Sequence, residues 1–202
     1  MELLERNRLI AVTRGFNSLQ GLYYAPIGMV LTAWVLLDMT WPRSFAHDLA
    51  KLVSLLLGIA ACFSARWYYR RRFGVVAPHQ EQSWNALAIL VAFTLMWGAS
   101  YLDVKTAYPI SFETLWWALF YVGCYLRPFR IRSFSLWFAA VFLILAFLPL
   151  TGTIPKEQFF MGRSGIGQFI TWFAFALHGL LDHQLLMRLL PGARQQSAEQ
   201  HV

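Results

Sequence analysis

The sequence predicts an all-α fold, a polytopic bundle of six transmembrane helices. Three observations predict it. Apolar residues make up 58% of the 202-residue chain and charged residues only 13%, about half the charged share of an ordinary soluble domain. The mean hydropathy is +0.48, more apolar surface than a single soluble core of this size can hide. The apolar residues also fall into six runs separated by charge, proline or glycine.

A helix needs roughly 20 mostly apolar residues to cross the hydrocarbon core. The runs that fit are Leu22–Met39, Leu49–Tyr69, Trp84–Leu102, Ile110–Leu126, Ser133–Leu150 and Ile166–Met187. Pro42, Pro78, Pro109, Pro128, Pro155 and Pro191 all fall outside them, where a missing N–H costs least. The fourth run is the shortest and contains Glu113.

Basic residues set the orientation. Arg6, Arg8, Arg14, Arg66, Arg70, Arg71, Arg72, Arg127, Arg130, Arg132, Arg188 and Arg194 lie on one side of the six runs; Arg43, Lys51, Lys105, Lys156 and Arg163 lie on the other. The positive-inside rule puts the first set, and with it both termini, in the cytoplasm. The ten acids divide evenly, so that side also carries the net charge of +7. An integral membrane location follows, the plasma (inner) membrane in a bacterium. Trp67, Tyr68, Tyr69, Trp84 and Tyr125 at one interface and Trp41, Tyr101 and Tyr108 at the other fit the depth that amphipathic rings favour.

Outside the bundle, residues 1–21 read as an N-terminal arm lying on the inner membrane surface. Leu9, Val12, Phe16 and Leu19 share one helical face, with Arg14, Asn17 and Ser18 away from it. The first 20 residues are too polar for a cleavable signal peptide. The transmembrane domain covers 22–190. The tail 191–202 is polar and reads as disordered and cytoplasmic. No connection is long enough for a soluble domain, so any function sits in the bundle, at its rims or in a partner.

The last run is the most unusual. Gly167, Thr171, Ala174, His178 and Asp182 recur at helical spacing and form one small, polar stripe. A polar group in lipid goes unsatisfied, so the stripe should face the bundle. An acid at a span centre costs about 2.5–3.5 kcal/mol; a histidine one turn away lowers that. His178, Asp182, His183 and Thr171 are therefore the candidate intramembrane polar site. Three readings are open for it: a clamp between helices, a proton or ion relay, and a metal or hydrolytic centre. The metal reading lacks ligands, because His47, His79 and His201 fall at other depths and a catalytic site needs about three ligands and an acid. No metal, haem or other cofactor is expected.

The outer side offers an acidic rim, with Glu113, Asp38 and Asp103 as its candidates. Glu113 is the deepest and tops an aromatic face of Trp117, Phe120, Tyr121 and Cys124, which reads as packing or as the lining of a pocket for an apolar or cationic ligand. The inner side offers a basic rim of Arg70, Arg71, Arg72, Arg127, Arg130 and Arg132, fit for anionic lipid headgroups or an acidic partner. Nucleic acid is not expected, since orientation already accounts for the charge. In the second run Ser54, Gly58, Ala61 and Ala65 form a face that permits close helix approach. Cys62 and Cys124 read as small buried residues. The glycines at 162, 165 and 167 lack the spacing of a phosphate loop.

The function these features favour is non-enzymatic: a transport-related or accessory subunit acting with a partner, with homo-oligomerisation open. An intramembrane enzyme acting on lipid through His178 and Asp182, and a membrane sensor with its output domain on another chain, are the alternatives.

Overall fold

A computed structural model describes residues 19–73, 82–126, 132–159 and 165–189, with side chains of 82–89 left aside. Six α-helices run through these residues, with no strand among them: α1 Ala25–Thr40, α2 Phe45–Phe73, α3 Gln82–Lys105, α4 Phe112–Leu126, α5 Ser133–Phe147 and α6 Ile166–Leu189. Each of the six apolar runs is one helix. Short 3₁₀ turns occupy Gly21–Tyr23, Leu148–Thr151 and Lys156–Phe159. The expected surface arm lies outside the described residues up to residue 18, and so does the expected tail 191–202.

Local chemistry explains the ends. Pro26 sits in the first turn of α1, where its fixed φ suits a helix start. Pro42 follows the last turn and stops it. After α5, Pro149 leads a 3₁₀ turn that Gly152 closes at φ +70°, a conformation that favours glycine. With 29 residues, α2 spans roughly 43 Å at ~1.5 Å per residue, longer than the ~30 Å core. Its last turn carries Arg70, Arg71 and Arg72. α4 has only 15 residues.

Among the described residues, three segments are long and apolar enough to cross a membrane: Gly21–Thr40, Phe45–Phe73 and Ser133–Thr151. α4 is too short for that standard. α6 is diluted by Gln168, His178 and Asp182. The surface fits the same solvent. Leu52, Leu56, Leu57, Phe63 and Trp67 on α2, Trp97 on α3, and Trp137 and Ile144 on α5 are exposed. Soluble monomers rarely show such a continuous apolar surface. Asp103, Glu113, Arg132, Ser135, Gln168, His178 and Asp182, by contrast, are buried.

Packing falls into two groups. α1 lies against α2 and α6; α4 lies against α3 and α5. Two things join the groups. One is an aromatic core of Met96, Trp117, Ala118, Tyr121, Ala139, Phe142 and Ala174, drawn from α3, α4, α5 and α6. The other is the set of polar side chains on α6. The Gly21 turn approaches α6 closely. A Cβ on Gly21 would fall 1.8 Å from the Gly179 carbonyl oxygen. Only glycine fits that contact.

Candidate functional site

α6 presents one buried face made of Gly167, Gln168, Thr171, Ala174, His178, Gly179, Asp182 and Leu186. Asp182 is fully buried. α5, α6 and the turn before α1 meet at its carboxylate. Arg132, at the N-terminal boundary of α5, brings its guanidinium Nε to 2.7 Å from Oδ1 and is itself buried. The Tyr24 hydroxyl donates to Oδ2. His178 Nδ1 lies 3.6 Å from Oδ2, too far for a hydrogen bond. His178 Nε2 instead pairs with the Ser135 hydroxyl at 2.9 Å. The imidazole is walled by Tyr121, Phe134 and Phe138, with ring centroids 5.1, 5.2 and 5.7 Å away. The cluster thus combines one cation, one carboxylate and neutral hydrogen-bonding groups, the composition that lets charge sit away from water.

The remaining residues of the sequence-derived site go elsewhere. His183 lies on a neighbouring face and meets the Tyr69 hydroxyl at 2.9 Å; that hydroxyl accepts from the Leu22 amide. Tyr68 stacks edge-on to His183. Thr171 is buried on the stripe, but its hydroxyl turns back to donate to the Gly167 carbonyl.

The basic rim divides. Arg70, Arg71 and Arg72 are exposed on α2. Arg71 lies over the Trp67 ring at 3.9 Å; Arg72 donates to the Tyr68 hydroxyl. Arg127 and Arg130 lie outside the described residues. Arg132 corrects the expectation of a headgroup-facing arginine. It is only 5% exposed, because the buried Asp182 draws it inward.

The acidic rim divides as well. Asp38 stays near the surface, 2.6 Å from Lys51 Nζ and 3.1 Å from His47 Nε2. Asp103 and Glu113 depart from a solvent-facing rim: both are buried. Asp103, in the last turn of α3, accepts from the amides of Phe112 at 2.7 Å and Glu113 at 2.9 Å and from the Ser111 hydroxyl at 3.1 Å. It therefore caps the N-terminus of α4 from another helix, where a carboxylate also meets the positive end of the helix dipole. Glu113 accepts from the Ser100 hydroxyl at 2.5 Å and from Gln168 Nε2 at 3.0 Å. That same Gln168 nitrogen reaches the Phe159 carbonyl at 2.6 Å. Below Glu113, Trp117 and Tyr121 are packed into the core against Phe142.

Sequence reasoning missed Arg132 as the partner of Asp182, and with it Tyr24, Ser135 and Gln168. One signal was available for the arginine. An acid within an apolar run needs a cation at its own depth, and Arg132 directly precedes a run that starts on the same side. Nothing in the local pattern singles out Tyr24 or Ser135, whose roles depend on which helices are neighbours.

Among the described residues no three His, Cys, Asp or Glu side chains gather as a metal site would require. Fold and site together define a protein that is all-helical over the described residues, with helices long and apolar enough to cross a membrane and a buried Arg–Asp cluster. No known protein family, curated protein or solved structure matches the chain.

Proposed function

We propose that this chain is a six-span integral membrane protein with both termini in the cytoplasm. We further propose that it works as a non-enzymatic, transport-related or accessory subunit alongside a partner, in the plasma (inner) membrane if its source is a bacterium. The carrying observation is the ion pair of Arg132 with Asp182, 2.7 Å apart and buried where α5, α6 and the turn before α1 meet. An acid held by a guanidinium and a tyrosine hydroxyl is committed to joining helices. That role suits a bundle that presents an apolar surface to lipid and its basic rim to a partner or to anionic headgroups.

Two experiments test the proposal. Reporter fusions at residues 45, 106 and 157 should report an extracytoplasmic location, and fusions at 76, 131 and 197 a cytoplasmic one. Cytoplasmic signals at 45 and 157 would refute the topology. For the role of Asp182, Asp182→Asn keeps the shape and one acceptor oxygen but cannot carry a proton or act as a base. It leaves the buried Arg132 guanidinium without its anion, so the yield of folded protein should fall, and complementation of a deletion strain should fall only in step with that yield. Complementation lost beyond the fall in yield would instead support the relay or the lipid-directed enzyme.

A further inference from the structure

Between α1 and α2 the bundle surface is cut by an open groove of about 460 Å³. α1 contributes Ile27, Leu31 and Trp34; α2 contributes Ile59, Cys62 and Arg66. The helices approach closely at Gly58, where a Cβ would fall 2.5 Å from Val30 Cγ2. The Trp34 indole stands at one end, fixed by its N–H donating to Ser54 Oγ at 2.8 Å. Arg66 stands at the other end. It is exposed, and among the described residues no acid pairs with it.

Shape, length and charge together name an occupant. From Leu55 to Arg66 the groove follows α2 for roughly 16 Å at ~1.5 Å per residue. One leaflet of a ~30 Å hydrocarbon core is about that deep. An apolar channel one leaflet long with a cation at its mouth matches an acyl chain joined to an anionic headgroup. Phosphate is also what a guanidinium binds best, through paired N–H donors. We infer that the groove holds one acyl chain of an anionic phospholipid, with its phosphate on Arg66. The assignment of that lipid to the cytoplasmic leaflet rests on the proposed topology.

The test places the full chain in nanodiscs containing equal phosphatidylglycerol and phosphatidylcholine, with a trace of either lipid spin-labelled. The motionally restricted signal should favour phosphatidylglycerol several-fold. Arg66→Gln should lower that preference, leaving only the part owed to the other arginines of the basic rim. Arg43→Gln, at the opposite end of the bundle, should leave the preference unchanged. Cys62→Phe, which narrows the groove, should lower the restricted fraction of both lipids. Equal restriction of the two lipids by the natural sequence would overturn the inference, as would a preference that Arg66→Gln leaves unchanged. A dimer cross-linked through Cys62 in the same discs would also overturn it, by placing a second copy in the groove. Nanodiscs expose both faces alike, so a lost headgroup preference would leave the topology standing. Inverted reporter signals would change the leaflet and leave the preference intact.

Discussion

At the arginine-bearing end of the bundle, Asp182 is held by a full positive charge, the guanidinium of Arg132 2.7 Å away. At the opposite end, Asp103 is held by the two amides that open α4, and Glu113 by Ser100 and Gln168. Both ends bury carboxylates between helices. The first does it with a counter-charge from a long side chain, the second with backbone and neutral dipoles. The difference follows from what each end has within reach. α5 and α6 make little backbone contact, so a long arginine bridges the gap. α3 and α4 turn back on each other within a few residues, so Asp103 lies directly over the exposed amides of the next helix. The consequence is an unequal response to mutation: loss of one partner strands a charge at the arginine end, and loses a cap at the other.

The largest expected effect comes from Arg132→Leu. It leaves Asp182 buried without its cation, a loss of about 3–5 kcal/mol. Unfolding in mixed micelles should show it; a change below about 1 kcal/mol would mean that Arg132 is dispensable to the fold. Next comes the glycine contact that brings the Gly21 turn against α6. Gly179→Leu must push the turn away, since even a Cβ there would lie 2.8 Å from the Gly21 carbonyl oxygen; overpacking of this kind costs about 1–3 kcal/mol. A melting temperature equal to that of the natural sequence would mean that the two segments do not touch.

How much of this was legible depends on the range of the interaction. The six helices were readable because each depends on its own run of apolar residues and on nearby stops such as Pro42 and Pro149. The stripe on α6 was readable because a spacing of three and four fixes a helix face. The partners of Asp182 were not, because Arg132 and Tyr24 are 50 and 158 residues away along the chain and only helix adjacency brings them together. Asp103 and Glu113 were readable as acids at one end of the bundle. Their burial was not, because it depends on how α3 folds back over α4 and on Gln168 arriving from α6.

The neutral end should give smaller effects. Asp103→Ala removes acceptors from the amides of Phe112 and Glu113, a loss typical of a helix cap, about 0.5–2 kcal/mol. Asp103→Asn should recover much of it, because its remaining carbonyl oxygen still accepts. If thermal unfolding shows the two variants equally damaged, the carboxylate's charge matters more than its role as a cap. Smallest of all is Gly98→Ala on α3, where a Cβ meets nothing within 4 Å. It should stabilise slightly, by at most about 1 kcal/mol, through a stiffer unfolded chain and a better helix former. A destabilised Gly98→Ala would mean that another helix packs there.

The most direct test of the contrast between the two ends is a double-mutant cycle on Arg132 and Asp182, read by reversible unfolding in mixed micelles. Arg132→Leu and Asp182→Leu should each destabilise strongly, since each strands the other's charge. The double variant removes both charges and should be more stable than either single one, with a coupling energy of about 0.5–3 kcal/mol. A double variant destabilised by the full sum of the two single losses would contradict the ion pair as the clamp that joins α5 to α6.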